Sequence, residues 1–427
     1  MTSRFKCAAV ALLLVVVAGC GYFPRSPGPA AVAAADQLRS DIVTYRTTHQ
    51  LGIEPSSPAL HTFAEVFDRV RADYVRPVDE AALMAAAKKG MYKAHPNPDK
   101  VADRELVMAA IGGMLESLDR YSNYLDTEEW RAMREQTRGQ FGGLGIEVRK
   151  GDKYIEVVSP IDDTPAARAG LRSGDKITHA DGESLAGLNL RAAVRRLRGD
   201  VGEPIVLTIL RGGGKPFDVK IVRDLIKITG VRWELKGDVG FVRVTAFTRN
   251  VTDRLEDAVE AVRKKLGGRM RGLIVDLRNN PGGLFDESLE MSDAFLETGI
   301  IVSTRGRANE RQHTARSGDI SNGAPMVVLI NNGSASASEI VAGALRDRHR
   351  AVLVGIKSFG KGTVQTIIPL GGNDALKLTT AVYLTPSGAS VEGGIAPDIV
   401  VEMDKEREGD EQLERALEVI RTLSPRS

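Results

Sequence analysis

Apolar and polar positions follow three different rhythms along this chain, and each rhythm predicts a different kind of element. From about residue 60 to 130 the period is helical: Phe63, Val66, Phe67 and Val70 fall at i, i+3, i+4 and i+7, and Val107, Ile111, Met114, Leu115 and Leu118 repeat the spacing. Between about 138 and 223 the apolar runs shorten and glycine turns separate them, which predicts short strands, one of them at 154–158. From about 231 to 404, buried strands are expected at 240–246, 272–277 and 326–330, and helices at 251–266 and 284–296, with Ser336 starting the next helix. That alternation marks an α/β core. A final stripe of Leu413, Ala416, Leu417, Ile420 and Leu423 makes 410–423 an amphipathic helix. Its polar face mixes signs, which suits a cap or a subunit contact better than a membrane surface.

At 427 residues, 42% hydrophobic and 27% charged, the chain exceeds one ordinary domain and carries enough apolar material for several cores. The pattern divides it into a signal at 1–19, a flexible tether at 20–57, a helical region at 58–134, a β-rich domain at 135–225, the α/β core at 226–404 and the amphipathic helix at 405–427. The signal rests on Arg4 and Lys6 before an apolar stretch at 8–17 and a small-residue exit, Val17-Ala18-Gly19-Cys20. The apolar run is shorter than the roughly 18 residues a spanning helix needs. The tether rests on the Pro and Gly of 21–29.

The Val-Ala-Gly-Cys ending resembles a bacterial lipobox. It implies cleavage before Cys20, a lipid on its sulfur and anchorage to a membrane leaflet of the cell envelope, with the body facing the periplasm or the exterior. Cys7 and Cys20 are the only cysteines, so neither a disulfide framework nor a cysteine metal site is expected. No His-Glu-x-x-His pattern occurs, and no metal or other cofactor is expected. The formal charge is +2, with basic and acidic residues interleaved, so nucleic acid is not an expected partner.

The stretch 141–148, with its Gly-Leu-Gly-Ile, followed by Ala169-Gly-Leu-x-x-Gly-Asp-x-Ile177, closely resembles a PDZ domain. The resemblance implies that the amides of Leu144, Gly145 and Ile146 hold a peptide's C-terminal carboxylate while the peptide adds as a strand. Adjacent N–H groups form an anion nest without a charged side chain. Ser173 and Lys176 in the same stretch match a Ser-x-x-Lys pattern. They sit across a turn, however, where helical spacing is needed to bring them together.

In Asn331-Asn-Gly-Ser-Ala-Ser-Ala-Ser-Glu339 the small neighbours of Ser336 allow a substrate backbone to approach, and a helix N-terminus there supplies free N–H groups for an oxyanion. Gly360 and Gly362 let the chain turn sharply around Lys361. A lysine activates a serine only when its ammonium is desolvated, so the site should be largely dry. On residue types alone, a small-residue run also fits simple helix packing, and a lysine between glycines also fits an exposed turn.

Four ordered blocks resolve that choice: 276–283, 333–339, 358–362, and 383–388 with 394–398. Together they resemble the C-terminal processing, or tail-specific, serine peptidases over about 63–401. The resemblance implies a multidomain fold with a ClpP/crotonase-like α/β protease core, an inserted PDZ domain and N-terminal helices. It makes Ser336 the nucleophile, Lys361 the base and Gln365 its orienting residue. The oxyanion hole falls to the amides of Ala337 and Gly282, with Gly283 one residue of loop slack away, and Asp347 is supporting. The expected activity is endoproteolysis near the C-termini of exported proteins through an acyl-enzyme. A homo-oligomer is possible through the N-terminal helices or the last helix. The alternative from another class is a non-catalytic PDZ lipoprotein that captures tails for another protease. A rival triad of Ser336 with Asp347 and His349 is disfavoured, because i, i+2 spacing points the two to different sides.

Overall fold

The computed structural model describes residues 26–46, 57–98, 101–151, 154–160, 164–188, 190–227, 230–316, 318–404 and 409–424. The expected signal and Cys20 lie outside them. Two units are present: residues 1–126 with 366–378, and residues 127–365 with 379–427.

In the first unit, helices Pro29–Tyr45, Pro58–Asp73, Glu80–Ala94 and Asp103–Glu116 bury their apolar stripes together. Proline opens two of them, at the position where its missing N–H costs least. Asp79 caps a third by accepting from the Ala81 and Ala82 N–H groups. Segment 366–378 returns late in the sequence to add Ile368, Leu370, Leu376 and Leu378 to this core. Its strand residues pair antiparallel with Asn123–Leu125.

One expectation is corrected here. The stretch 20–57 was expected to be a flexible tether, yet Pro29–Tyr45 is a helix whose Ala31, Ala34, Ala35, Leu38 and Ile42 are buried. These positions follow i, i+3, i+4, i+7 and i+11. The Pro and Gly of 21–29 gave the compositional signal, and small alanines gave the stripe little hydrophobic contrast.

The second unit holds a β-rich part and an α/β part. In the former, strands Ile146–Lys150, Ile155–Pro160, Lys176–Ala180, Pro204–Leu210 and Phe217–Val222 form one antiparallel sheet in that order. Helices Pro165–Arg168 and Leu190–Leu197 complete a core that includes Leu144, Leu171, Ile177, Leu197 and Leu207. Ile146–Lys150 lies at the sheet edge.

The α/β part is built on a six-stranded sheet in the order Val231–Lys236, Val239–Val244, Gly272–Asp276, Met326–Ile330, Val352–Gly355, Ile399–Val400. The first pair is antiparallel and the rest are parallel. Gly272–Asp276 and Met326–Ile330 are buried throughout, which is why they read as continuous apolar runs rather than alternating ones. Helices Val251–Lys265, Phe285–Asp293 and Ala337–Asp347 pack in the larger apolar cluster on this sheet. The last helix, Glu411–Thr422, covers the other face through Ala416, Val419 and Ile420 against Phe241, Ile274, Val327 and Leu329. Among the described residues no helix is long and apolar enough to cross a membrane.

Candidate active site

Three neighbouring parallel strands each deliver one part of the site from the carboxyl end. The Asn-Pro-Gly-Gly turn follows Gly272–Asp276, the segment ending at Ser336 follows Met326–Ile330, and the loop with Lys361 follows Val352–Gly355. Loops converge there in open α/β sheets because every parallel strand points the same way.

The turn and the serine segment are bolted together through backbone and small polar groups. Asn280 O accepts the Ala335 N–H at 3.0 Å and the Ser338 hydroxyl at 2.9 Å. Asn331 Oδ1 accepts the Asn279 N–H at 2.8 Å, and Ser334 donates to Leu277 O at 2.8 Å. Held this way, Ser336 adopts φ 55° and ψ −113°. Such backbone costs about 1–3 kcal/mol and persists only where its surroundings impose it.

Glu339 connects the serine segment to the lysine loop. It is fully buried. Its Oε2 accepts the Ser336 N–H at 2.8 Å and the Lys361 N–H at 2.9 Å. Its Oε1 accepts the Gly360 N–H at 2.7 Å and the Ser358 hydroxyl at 2.6 Å. The backbones of Ser336 and Lys361 therefore meet at a single oxygen atom. The Tyr383 hydroxyl adds a second bridge, lying 3.2 Å from Ser336 O and also bonded to Lys361 O. Ser336 and Lys361 are both half-buried.

Ala337 opens the helix, and its N–H makes no hydrogen bond among the described residues, as suits the positive end of a helix facing a developing anion. Gly282 has φ 96°, and a Cβ there would fall 2.9 Å from both Ala337 N and Ser336 Cβ. Only glycine lets the turn press against the serine. The Gly282 N–H is given to Asn280 Oδ1 at 2.9 Å, whereas the Gly283 N–H makes no hydrogen bond among the described residues.

The Gln365 amide donates to Thr363 Oγ1 at 2.8 Å and Thr379 Oγ1 at 3.4 Å. Asp347 lies at the far end of the helix Ala337–Asp347, roughly 16 Å along its axis from Ser336. Its carboxylate accepts the Ser387 N–H at 3.1 Å and hydroxyl at 2.7 Å, and pairs with Arg346 at 2.9 Å. Burial pushes this carboxyl up, but hydrogen bonds from Thr385, Ser387 and Arg346 outweigh it, and the net shift is down. His349 follows the same helix end, so the rival triad is not assembled.

In the β-rich part, Leu144 and Gly145 have N–H groups without hydrogen bonds among the described residues, and Ile146 begins the edge strand. Gly145 has φ 76° and its carbonyl accepts the hydroxyl of buried Thr164 at 3.1 Å. A Cβ at Gly145 would fall 2.2 Å from Thr164 Cβ. Ser173 and Lys176 are not in a common helix. Asp175 between them is buried against Arg211, at 2.7 Å.

Sequence reasoning missed Glu339 as the connector. The signal was present, since Ser336-x-x-Glu339 is a capping-box pattern in which the glutamate reaches back to the cap N–H. Nothing local announced that the same carboxylate also serves a loop a strand away.

Comparison with known proteins adds two family matches: peptidase family S41 over residues 238–401 and a PDZ domain over 156–211. A carboxy-terminal-processing protease of Bartonella bacilliformis is 49% identical over 348 residues, covering 80% of this chain and 75% of that protein. A probable CtpA-like serine protease of Staphylococcus epidermidis is 37% identical over 311 residues, covering 72% of this chain and 62% of that one. Among solved structures, a photosystem II D1 C-terminal processing protease superimposes with a TM-score of 0.52 at 27% identity, covering 84% of this chain and 97% of its own.

Proposed function

This chain belongs to peptidase family S41, and from that premise we propose that it cleaves near the C-termini of exported proteins with Ser336 as nucleophile and Lys361 as base. The observation that carries the reading is the single Glu339 oxygen accepting from both the Ser336 and the Lys361 N–H groups. It supports a lysine side chain starting close enough to the serine to take its proton.

In the proposed cycle, a substrate tail adds beside Ile146–Lys150 with its carboxylate on the amides of Leu144, Gly145 and Ile146. Neutral Lys361 accepts the Ser336 proton while Oγ bonds to a peptide carbonyl carbon. The oxyanion receives the Ala337 N–H and a second one from the Asn-Pro-Gly-Gly turn. That second donor is Gly282, which must then loosen its bond to Asn280. The lysine ammonium passes its proton to the leaving amine, then takes one from the water that hydrolyses the acyl-enzyme. Gln365 orients Lys361 after turning from its threonines, and Asp347 acts indirectly by fixing the turn at Ser387. Domain limits of 58–134, 135–225 and 226–404, anchorage through a lipid on Cys20 at the bacterial cell envelope, and a homo-oligomer belong to the same proposal.

The test is incubation of purified protein with a peptide ending in apolar residues. Cleavage abolished by Ser336→Ala and by Lys361→Ala, and retained in His349→Ala, upholds the dyad. Binding of the peptide without cleavage by the wild type upholds the adaptor instead.

A further inference from the structure

A charge cluster with a buried centre adjoins the oxyanion turn. Arg278 is two residues before Asn280 and is only 8% exposed. Its Nε donates to Asp276 Oδ1 at 2.9 Å and its Nη2 to Asp276 Oδ2 at 2.9 Å. The same guanidinium reaches the last helix: Nη1 donates to Asp410 Oδ1 at 2.8 Å and Gln412 Oε1 at 3.1 Å, and Nη2 to Asp410 Oδ2 at 2.7 Å. Arg243 closes the group, bonding Asp276 Oδ2 at 3.0 Å and Arg278 O at 3.4 Å. Two carboxylates thus balance two guanidiniums.

We propose that Asp410, seconded by Gln412, is a positioning residue for peptide cleavage, holding the oxyanion turn in register through Arg278. The proposal rests on the catalytic reading above. Its physical basis is charge balance around the buried pair Arg278 and Asp276, with Asp410 and Arg243 partly exposed at its rim. With Asp410 removed, the cluster keeps Asp276 as its one anion for two cations, and each terminal nitrogen of Arg278 loses one acceptor, Nη1 keeping Gln412 and Nη2 keeping Asp276. A buried cation that must share its one remaining carboxylate with Arg243 is under-compensated, so the side chain is drawn toward water and pulls the backbone at 278–280 with it. The displacement then passes to the serine segment through Asn280 O, which holds Ala335 and Ser338. Burial pushes the Asp410 carboxyl up, but its bonds to Arg278 and the Leu413 N–H prevail and the net shift is down, as expected of a committed ion pair.

Asp410 also caps its own helix by accepting the Leu413 N–H at 3.0 Å, and the two roles must be separated. Asp410→Ser keeps a capping oxygen and loses the bidentate partner of Arg278. The expected result is a fall in kcat of about tenfold with KM changed less than about twofold, the pattern of an interaction felt in the transition state. In an Arg278→Met background the same substitution should add nothing further. The proposal is overturned if Asp410→Ser keeps wild-type kcat, if the loss appears in KM instead, or if it adds in full to Arg278→Met. Ser336→Ala is run alongside. If it still cleaves, the catalytic reading itself has failed; if it is inert while Asp410→Ser is fully active, only this inference falls.

Discussion

The loop at 144–146 and the serine segment share one feature and are supported by different materials. Each leaves backbone N–H groups without hydrogen bonds among the described residues, at Leu144 and Gly145 in one and at Ala337 in the other. The binding loop is supported by the buried Thr164 hydroxyl on the Gly145 carbonyl and by the Ala166 N–H on the Leu144 carbonyl. The serine segment is held by the four donors on Glu339, by Asn280 O and by Tyr383. On the proposed function, the difference follows from what each would have to do. Capturing a tail tolerates small displacements, whereas acyl transfer loses about a hundredfold for a misplacement on the order of 1 Å.

That contrast is broken most directly at its catalytic end. Ser336→Ala should lower kcat by about 10⁴-fold or more without weakening tail binding, measured by peptide turnover beside fluorescence anisotropy. Next comes Glu339→Gln. Its amide nitrogen cannot accept, so one pair of donors among Ser336, Lys361, Gly360 and Ser358 is left without an acceptor. A loss in kcat of roughly a hundredfold at nearly constant KM is expected. Unchanged kcat would mean that the connector is only a packing element.

At the binding end, Gly145→Ala should raise KM for tail peptides by about tenfold and spare kcat, because the added methyl meets Thr164 and the left-handed backbone is strained. A drop in kcat alone would show that the two sites are less separable than their construction suggests. The smallest effect is assigned to Asp347. Its folded pKa lies below the ordinary 3.8, so its stabilisation is present above that value and lost as pH falls through the folded one. Asp347→Asn should cost about 1 kcal/mol in urea unfolding at pH 7, with the gap to wild type narrowing at pH 3.

Much of this was legible along the chain. The rhythms at 272–277, 326–330 and 251–266 became Gly272–Asp276, Met326–Ile330 and Val251–Lys265, because strands buried on both faces and two-toned helices leave strong periodic traces. The helix Pro29–Tyr45 escaped, since alanine fills a close packing seam with little hydrophobic signal. Of the site, Ser336 and Lys361 had small or glycine neighbours, but the resemblance to the tail-specific peptidases was what singled out both of them and the Gly282–Gly283 turn. Glu339 and Asp410 did not, because a carboxylate on a helix reads the same whether it faces water or a buried arginine.

The sequence by itself determined which segments are strands and helices, and which short glycine-rich stretches interrupt them, since these depend on neighbours a few residues away. Only the tertiary structure decided that three such stretches share one end of a parallel sheet, that one buried carboxylate ties two of them together, and that the start of the last helix reaches back to Arg278. Those pairings join residues far apart in the chain. Their energies depend on burial and charge balance, which exist only once the sheet has brought the partners together.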